Sequence, residues 1–82
     1  MKQFDLWLKA CAEKNDYPFL LNSCKDYDLY KLSGKYTVKN NDYYSPTYHV
    51  WDRKNDKWVF TSVDYRAAYQ KYKNIIFKIS LQ

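Results

Sequence analysis

Two runs of β-branched and aromatic residues limit most strongly what this chain can fold into. They cover residues 47–51 and 58–61, and the residues between them are all polar or charged. Paired runs around a short polar segment are typical of a β-hairpin. We therefore predict a hairpin in which Trp51 and Trp58 face each other across the strands, with a basic turn at its tip.

Apolar residues at helical spacing predict one helix before this hairpin and another after it. Near the start of the chain, Phe4, Leu8 and Cys11 recur at positions i, i+4 and i+7, which is typical of the buried face of a helix. Ser62 is a favoured N-cap for the second helix, which we expect to end at Asn74. The aromatic face of that helix has the same spacing and consists of Tyr65, Ala68, Tyr69 and Tyr72.

The last residues of the chain alternate instead of following a helical period. Ile75, Phe77, Ile79 and Leu81 fall on one side of an extended segment, and Lys78 falls on the other. This alternation predicts a half-buried strand over residues 75–81.

Two segments leave alternatives open. Residues 19–24 are short and apolar, so periodicity does not assign them, and one or two helical turns begun by Pro18 are an option. Residues 29–39 alternate on both sides of Gly34, the only glycine in the chain. We favour a first hairpin that turns at Ser33 and Gly34, and the alternative is a helix that ends at Gly34 before a single strand.

Together these elements predict a single α+β domain covering residues 1–82. Its N-terminal helix, two β-hairpins, second helix and C-terminal strand would form one small sheet with the helices on one face. No apolar run approaches the roughly 20 residues that a membrane span needs. Because the start of the chain also lacks the apolar stretch of a signal peptide, we expect a cytoplasmic protein.

The residue types and their spacing give little support for an enzyme. Cys11 and Cys24 lie in apolar contexts without a Cys-x-x-Cys spacing, and His49 is the only histidine. A zinc site needs about four ligands, and no phosphate-binding glycine loop or dinucleotide motif is present. We therefore expect neither a metal nor another cofactor, and a protein that is not an enzyme.

The charge of the chain is concentrated together with most of its tyrosines. From residue 29 onward, ten Lys and Arg stand against four Asp, whereas the first 28 residues hold four Lys against five acids. Cations can bind a phosphate backbone while tyrosine rings stack on bases, so we predict a protein that binds RNA or another nucleic acid. The predicted contact residues are Lys35, Tyr36, Lys39, Arg53, Lys54, Lys57, Arg66, Lys71 and Lys73, with Tyr43, Tyr44 and Tyr48 as further stacking candidates.

Other interpretations of the same residues stand beside this one. The lysines can form an ordinary solvated face while the tyrosines fill the core. A protein-binding inhibitor is a second functional hypothesis, because Tyr, Trp and Arg are enriched at interface hot spots. If the predicted strand at residues 75–81 is a sheet edge, two copies can pair there as a homodimer.

A Lys-, Asn- and Tyr-rich bias runs through the chain, for example in residues 39–44 and 52–57. In size and composition the chain resembles small early proteins of tailed bacteriophages that block host or defence functions. These include RNA-binding inhibitors of toxin–antitoxin nucleases and anti-CRISPR proteins. The resemblance implies an inhibitor that works in the host cytoplasm, through RNA or directly on a host or defence protein. It rests on no specific motif and assigns no functional residue.

Overall fold

The fold is a four-stranded antiparallel sheet with a helix on each face and a separate two-stranded ribbon. The computed structural model describes residues 2–80, and the side chains of residues 2–78. In chain order the elements are α1 (Gln3–Glu13), β1 (Phe19–Cys24), β2 (Tyr27–Leu32), β3 (Lys35–Val38), β4 (Asn41–Tyr44), β5 (Thr47–Asp52), β6 (Lys57–Ser62) and α2 (Tyr65–Ser80). The α+β class is as the sequence predicted.

The hairpin predicted from residues 47–61 is confirmed. It consists of β5 and β6, which pair antiparallel with Trp51 opposite Trp58. The centroids of the two indole rings are 4.3 Å apart. This hairpin is one half of the main sheet, whose strand order is β1-β2-β5-β6.

The prediction of a first hairpin at Ser33 and Gly34 is wrong. β2 pairs with β1 and β5, while β3 pairs with β4 in a second sheet, so the expectation of a single sheet is also wrong. The chain does not reverse at Gly34. Glycine is needed there because the backbone of Ser45 passes close to it. The φ of Gly34 is +64°, and a Cβ atom there would lie 1.9 Å from the carbonyl oxygen of Ser45.

The chain reverses further along, at the tip of the β3–β4 pair, which we call the ribbon (residues 35–44). Lys39 and Asn40 have φ values of 51° and 66°. Two successive positive φ values are typical of the two-residue type I′ turn, which fits the twist of a tight hairpin. Asn is well suited to that conformation, whereas Lys is not a common residue there.

The two helices lie on opposite faces of the sheet, which corrects the prediction that they share one face. Phe4 of α1 contacts the rings of Tyr30 and Trp51 at centroid distances of 5.5 and 5.3 Å. Leu29 and Val50 are the neighbours of those residues along the strands, and they are buried in a cluster with residues of α2. Since successive side chains of a strand point to opposite faces, β2 and β5 present apolar or aromatic side chains to both helices.

Residues 75–80 are helical, so the prediction of a C-terminal strand is wrong. Ile75 and Ile76 pack against the cluster that contains Ala68 and Tyr72, because they continue the 3.6-residue period of the same helix. Phe77, which the strand prediction placed inside, is 64% exposed. Leu81, the last residue of the predicted strand, lies outside the described residues.

Two further details complete the comparison with the sequence. Residues 19–24 form strand β1 and not a helical turn, because β2 supplies partners along their length. The cap of α2 is Asp64, whose carboxylate accepts a hydrogen bond from Arg66 N at 3.0 Å, and Ser62 in turn accepts one from Asp64 N at 2.9 Å. Within residues 2–80, neither helix has the length and apolar character of a membrane span.

Candidate nucleic-acid interface

The structure separates the predicted contact residues into two groups at opposite ends of the sheet. β5 begins next to the ribbon at Thr47 and ends at Asp52, where the turn to β6 begins. Six residues of strand span about 17 Å, so the ribbon residues Lys35, Tyr36 and Lys39 are far from the basic turn. The longest dimension of the molecule, 52 Å, reflects this separation. α2 links the two ends.

Arg53 in the basic turn makes contacts within the protein. Its Nε lies 3.2 Å from a carboxylate oxygen of Asp28, its guanidinium donates to the carbonyl of Lys25, and its backbone N donates to Asp26 at 2.8 Å. Asp28 is only 3% exposed and accepts another hydrogen bond from Ser23 at 2.5 Å. A buried carboxylate needs such partners, so Arg53 is a structural residue.

Carboxylates also fix the rest of the turn. Asp56 caps α1 by accepting hydrogen bonds from Gln3 N at 2.7 Å and Phe4 N at 3.3 Å. Asp52 accepts from the backbone N and the side chain of Asn55. Burial works to raise the pKa of Asp52, but these hydrogen bonds outweigh it and lower the pKa. The exposed Lys54 and Lys57 therefore sit beside two negative charges.

α2 has the opposite character. Its sixteen residues contain no acid, and its basic residues are all exposed: Arg66, Lys71, Lys73 and Lys78. Among the described residues, none of them lies in an ion pair. Arg66, Gln70, Lys73 and Phe77 follow one another at helical spacing along the exposed side of the helix, and we call them the outer stripe. Its last two members, Lys73 and Phe77, border the end of β1 at Cys24.

Tyrosine rings lie directly beside the outer stripe. Tyr65 and Tyr69 are stacked with centroids 5.7 Å apart and ring planes 10° from parallel. Tyr48 of β5 contacts Tyr65 edge-on at 5.3 Å, and the Nζ of Lys73 lies 5.4 Å from the centroid of Tyr69. Cations and aromatic faces thus alternate over about three turns of α2.

The ribbon is the second exposed aromatic feature. All eight residues of β3 and β4 are exposed. Tyr36 and Tyr43 are stacked with centroids 5.6 Å apart, and Lys35 lies 3.6 Å from Asp42 in an ion pair. The ribbon therefore carries mainly aromatic surface with little net charge.

Asp16 anchors the base of the ribbon. Its carboxylate accepts hydrogen bonds from Ser33 N at 3.1 Å, Ser33 Oγ at 2.7 Å and Gly34 N at 2.9 Å. Burial works to raise the pKa of Asp16, and the bonds from Ser33 and Gly34 lower it overall. The point where β2 passes into β3 is thereby held in one conformation while the ribbon itself projects.

The residues considered for catalysis are placed in structural roles. His49 contacts the rings of Trp7 and Trp58 at 5.3 and 5.6 Å, on the α1 face of the sheet, and burial lowers its pKa. Cys24 packs in the cluster under α2, on the other face. Burial raises the pKa of the Cys11 thiol, which disfavours the reactive thiolate.

An open cavity of about 840 Å³ lies between α1 and the basic turn. It is walled by Phe4, Tyr30 and Trp51, and its charged residues are Lys2, Asp5, Arg53 and Asp56. Arg53 already pairs with Asp28, Asp56 already accepts from the N-terminus of α1, and Lys2 and Asp5 carry opposite charges. The cavity is therefore a weaker candidate for ligand binding than α2.

Sequence reasoning did not include Tyr65, Tyr69, Gln70 and Phe77 among the contact residues. It assigned the two tyrosines to a core face and Phe77 to a strand. The signal that was available is the spacing of Arg66, Gln70, Lys73 and Phe77 in a segment that lacks any acid.

Comparison with known proteins adds no relative. Scans against protein-family models, curated proteins and solved structures each found no match. The functional argument therefore depends on the residues and their geometry.

Proposed function

We propose that this protein binds single-stranded nucleic acid, RNA in the first place, through α2. The observation that carries the proposal is a sixteen-residue helix with four exposed cations and no carboxylate. A cationic surface of this kind attracts a phosphate backbone without regard to sequence. The function is one of binding, with no chemical step.

The tyrosines beside the outer stripe support a single-stranded ligand. Bases in a duplex are stacked on each other, whereas unpaired bases can stack on protein rings. Tyr65 is 45% exposed and lies parallel to Tyr69. Tyr48 contacts Tyr65 and Lys73 lies over Tyr69, so a base would join this stack by displacing one of these two neighbours. Arg66 and Lys73 would hold the phosphates on either side of it.

A charge-reversal experiment tests this proposal. In Arg66→Glu/Lys73→Glu, we expect the affinity for a fluorescent oligo-U strand, measured by anisotropy, to fall roughly tenfold or more. The matched control is Lys9→Glu/Lys14→Glu, which makes the same net-charge change on exposed positions of α1. Equal losses in the two variants would contradict a site on α2 and indicate only general attraction by the positive protein. An oligo-dT strand of the same length shows whether the ligand class is RNA or DNA.

The ribbon supports a second candidate function, the direct inhibition of another protein. Tyr44 is 62% exposed, and Tyr36 and Tyr43 add further aromatic surface with little net charge. Exposed tyrosines on a projecting element suit a protein interface better than a phosphate backbone. A photo-crosslinking residue at Tyr44 should then capture one specific protein in nuclease-treated host lysate, and the same residue at Val63, which is 75% exposed, should not.

Either function fits the small phage inhibitors that the chain resembles in composition. Those proteins include both RNA-binding and protein-binding types, so the oligonucleotide and crosslinking experiments also decide which type this chain would be.

A further inference from the structure

The edge strand β1 lacks the charged residues that usually keep the edge of a sheet from pairing with another chain. Within residues 2–80, β1 pairs only with β2, so its outer side is unpaired. Its sequence, Phe-Leu-Leu-Asn-Ser-Cys, contains no charged residue, and Phe19 and Leu20 are 67% and 48% exposed. Charged residues, proline or a β-bulge within the strand normally limit the pairing of such an edge with another chain, and of these β1 has only the bulge between Leu20 and Asn22. An uncharged apolar edge is therefore a feature to explain.

We propose that two copies of this chain pair through β1 in antiparallel orientation, around a two-fold axis at the β1 bulge. The bulge lies between Leu20 and Asn22. It places Phe19 and Cys24, at the two ends of the strand, on the same face, because they oppose Lys31 and Tyr27 of β2. Residues that lie directly opposite each other in an antiparallel pair point to the same face, so Phe19 of each copy can lie opposite Cys24 of the other, as a two-fold interface requires.

The surface beside β1 is complementary to itself under this symmetry. On the α2 face, a groove of about 360 Å³ runs along the Cys24 end of the strand; Tyr72, Ile76 and Phe77 form its apolar wall, and Asn22 and Lys73 also line it. In the antiparallel pair, Phe19 of one copy lies opposite Cys24 of the other. The exposed Phe19 ring of each copy would therefore cover the groove of its partner.

The area that this edge can bury is enough for a weak dimer. Tyr17, Phe19 and Phe77 are each more than 60% exposed and lie along this edge. Large aromatic side chains bury about 150–250 Å² each, so with Leu20 and the strand backbone the pair would bury about 1,000 Å², which is near the lower limit for a specific interface. Because the axis is perpendicular to the sheet, both α2 helices would lie on the same side of the joined sheet.

Sedimentation velocity without nucleic acid tests the dimer independently of the proposed function. The chain has a mass of 10.0 kDa, and we expect a species of twice that mass that dissociates on dilution. Phe19→Glu should give a monomer with an unchanged circular dichroism spectrum. The matched control Val63→Glu, at a residue that is 75% exposed away from this edge, should remain dimeric.

A disulfide experiment locates the interface even if Phe19→Glu is poorly folded. In a Cys24→Ser background, Asn22→Cys lies next to the axis and should form a covalent dimer on mild oxidation. Asn41→Cys, on the ribbon, should not. A monomer at all accessible concentrations would overturn the proposal and leave β1 free to accept a strand of another protein. A dimer that withstands Phe19→Glu and does not crosslink through Asn22→Cys would overturn it as well.

Discussion

The β5–β6 turn and helix α2 are both rich in cations, yet the protein uses these charges differently. In the turn, Arg53 pairs with the buried Asp28, and Asp52 and Asp56 lie among the lysines. In α2, no carboxylate is present and no cation is paired among the described residues. The comparison shows that acids balance the cations of the turn, whereas the described residues of α2 hold cations without acids among them.

Among the variants that test this comparison, replacement of Arg53 should have the largest effect, a loss of stability. Arg53→Ala leaves the buried Asp28 without its cation, so we expect the free energy of unfolding to fall by about 2 kcal/mol, after allowing for the partial exposure of Arg53. Arg66→Ala is the matched change on α2 and should cost within about 0.5 kcal/mol. Urea unfolding measures both. Equal losses would contradict the distinction between structural and available cations.

The next effect in size is the loss of the helix cap that the turn provides. Asp56→Ala removes the acceptor for Gln3 N and Phe4 N, and we expect it to cost about 1 kcal/mol. Asp56→Asn should retain part of the cap, because its amide oxygen can still accept a hydrogen bond. If the alanine variant unfolds at the same urea concentration as the wild type, the turn does not anchor α1.

A smaller effect should appear in the acid dependence of stability. Because the pKa of Asp52 is lowered in the folded protein from its ordinary value of 3.8, Asp52 stabilises the fold above that value. This contribution is lost as the pH falls through the folded pKa. When the pH falls below 3.8, Asp52→Asn should therefore lose less stability than the wild type does. Arg66→Gln/Lys73→Gln should lose as much as the wild type. Thermal unfolding at a series of acidic pH values checks this, and identical profiles for the Asp52 variant and the wild type would contradict it. Asp16, whose pKa is also lowered, contributes to this acid dependence in the same direction.

Local patterns in the sequence were sufficient for the elements whose partners are near in the chain. The β5–β6 hairpin is one, and α1 and the first half of α2 are others. The end of α2 was missed because residues 75–81 fit both a helical and an alternating period. Ile76, which an alternating strand would have placed outside, decides for the helix, since it packs beside Ile75.

Long-range pairing accounts for the other errors. Whether β2 pairs with β3 or with β5 depends on residues far apart in the chain. A glycine at position 34 is consistent with a turn and also with a close approach to another segment, which in the structure is Ser45. For the candidate site, the sequence placed Arg66, Lys71 and Lys73 on the second helix, where the structure has them exposed, but it assigned Lys78 of α2 to a strand. It could not show that Arg53 meets Asp28, 25 positions away, because only the fold brings them together.

The salt dependence of oligo-U binding tests the central claim most directly. Each phosphate contact on a single strand contributes about 0.7 to the slope of log affinity against log salt. We predict that Arg66→Gln/Lys73→Gln lowers the magnitude of that slope by about 1.4, and that Lys54→Gln/Lys57→Gln changes it far less. A reduction in the turn variant with no change in the α2 variant would contradict the account, because the turn and not α2 would then hold the phosphates.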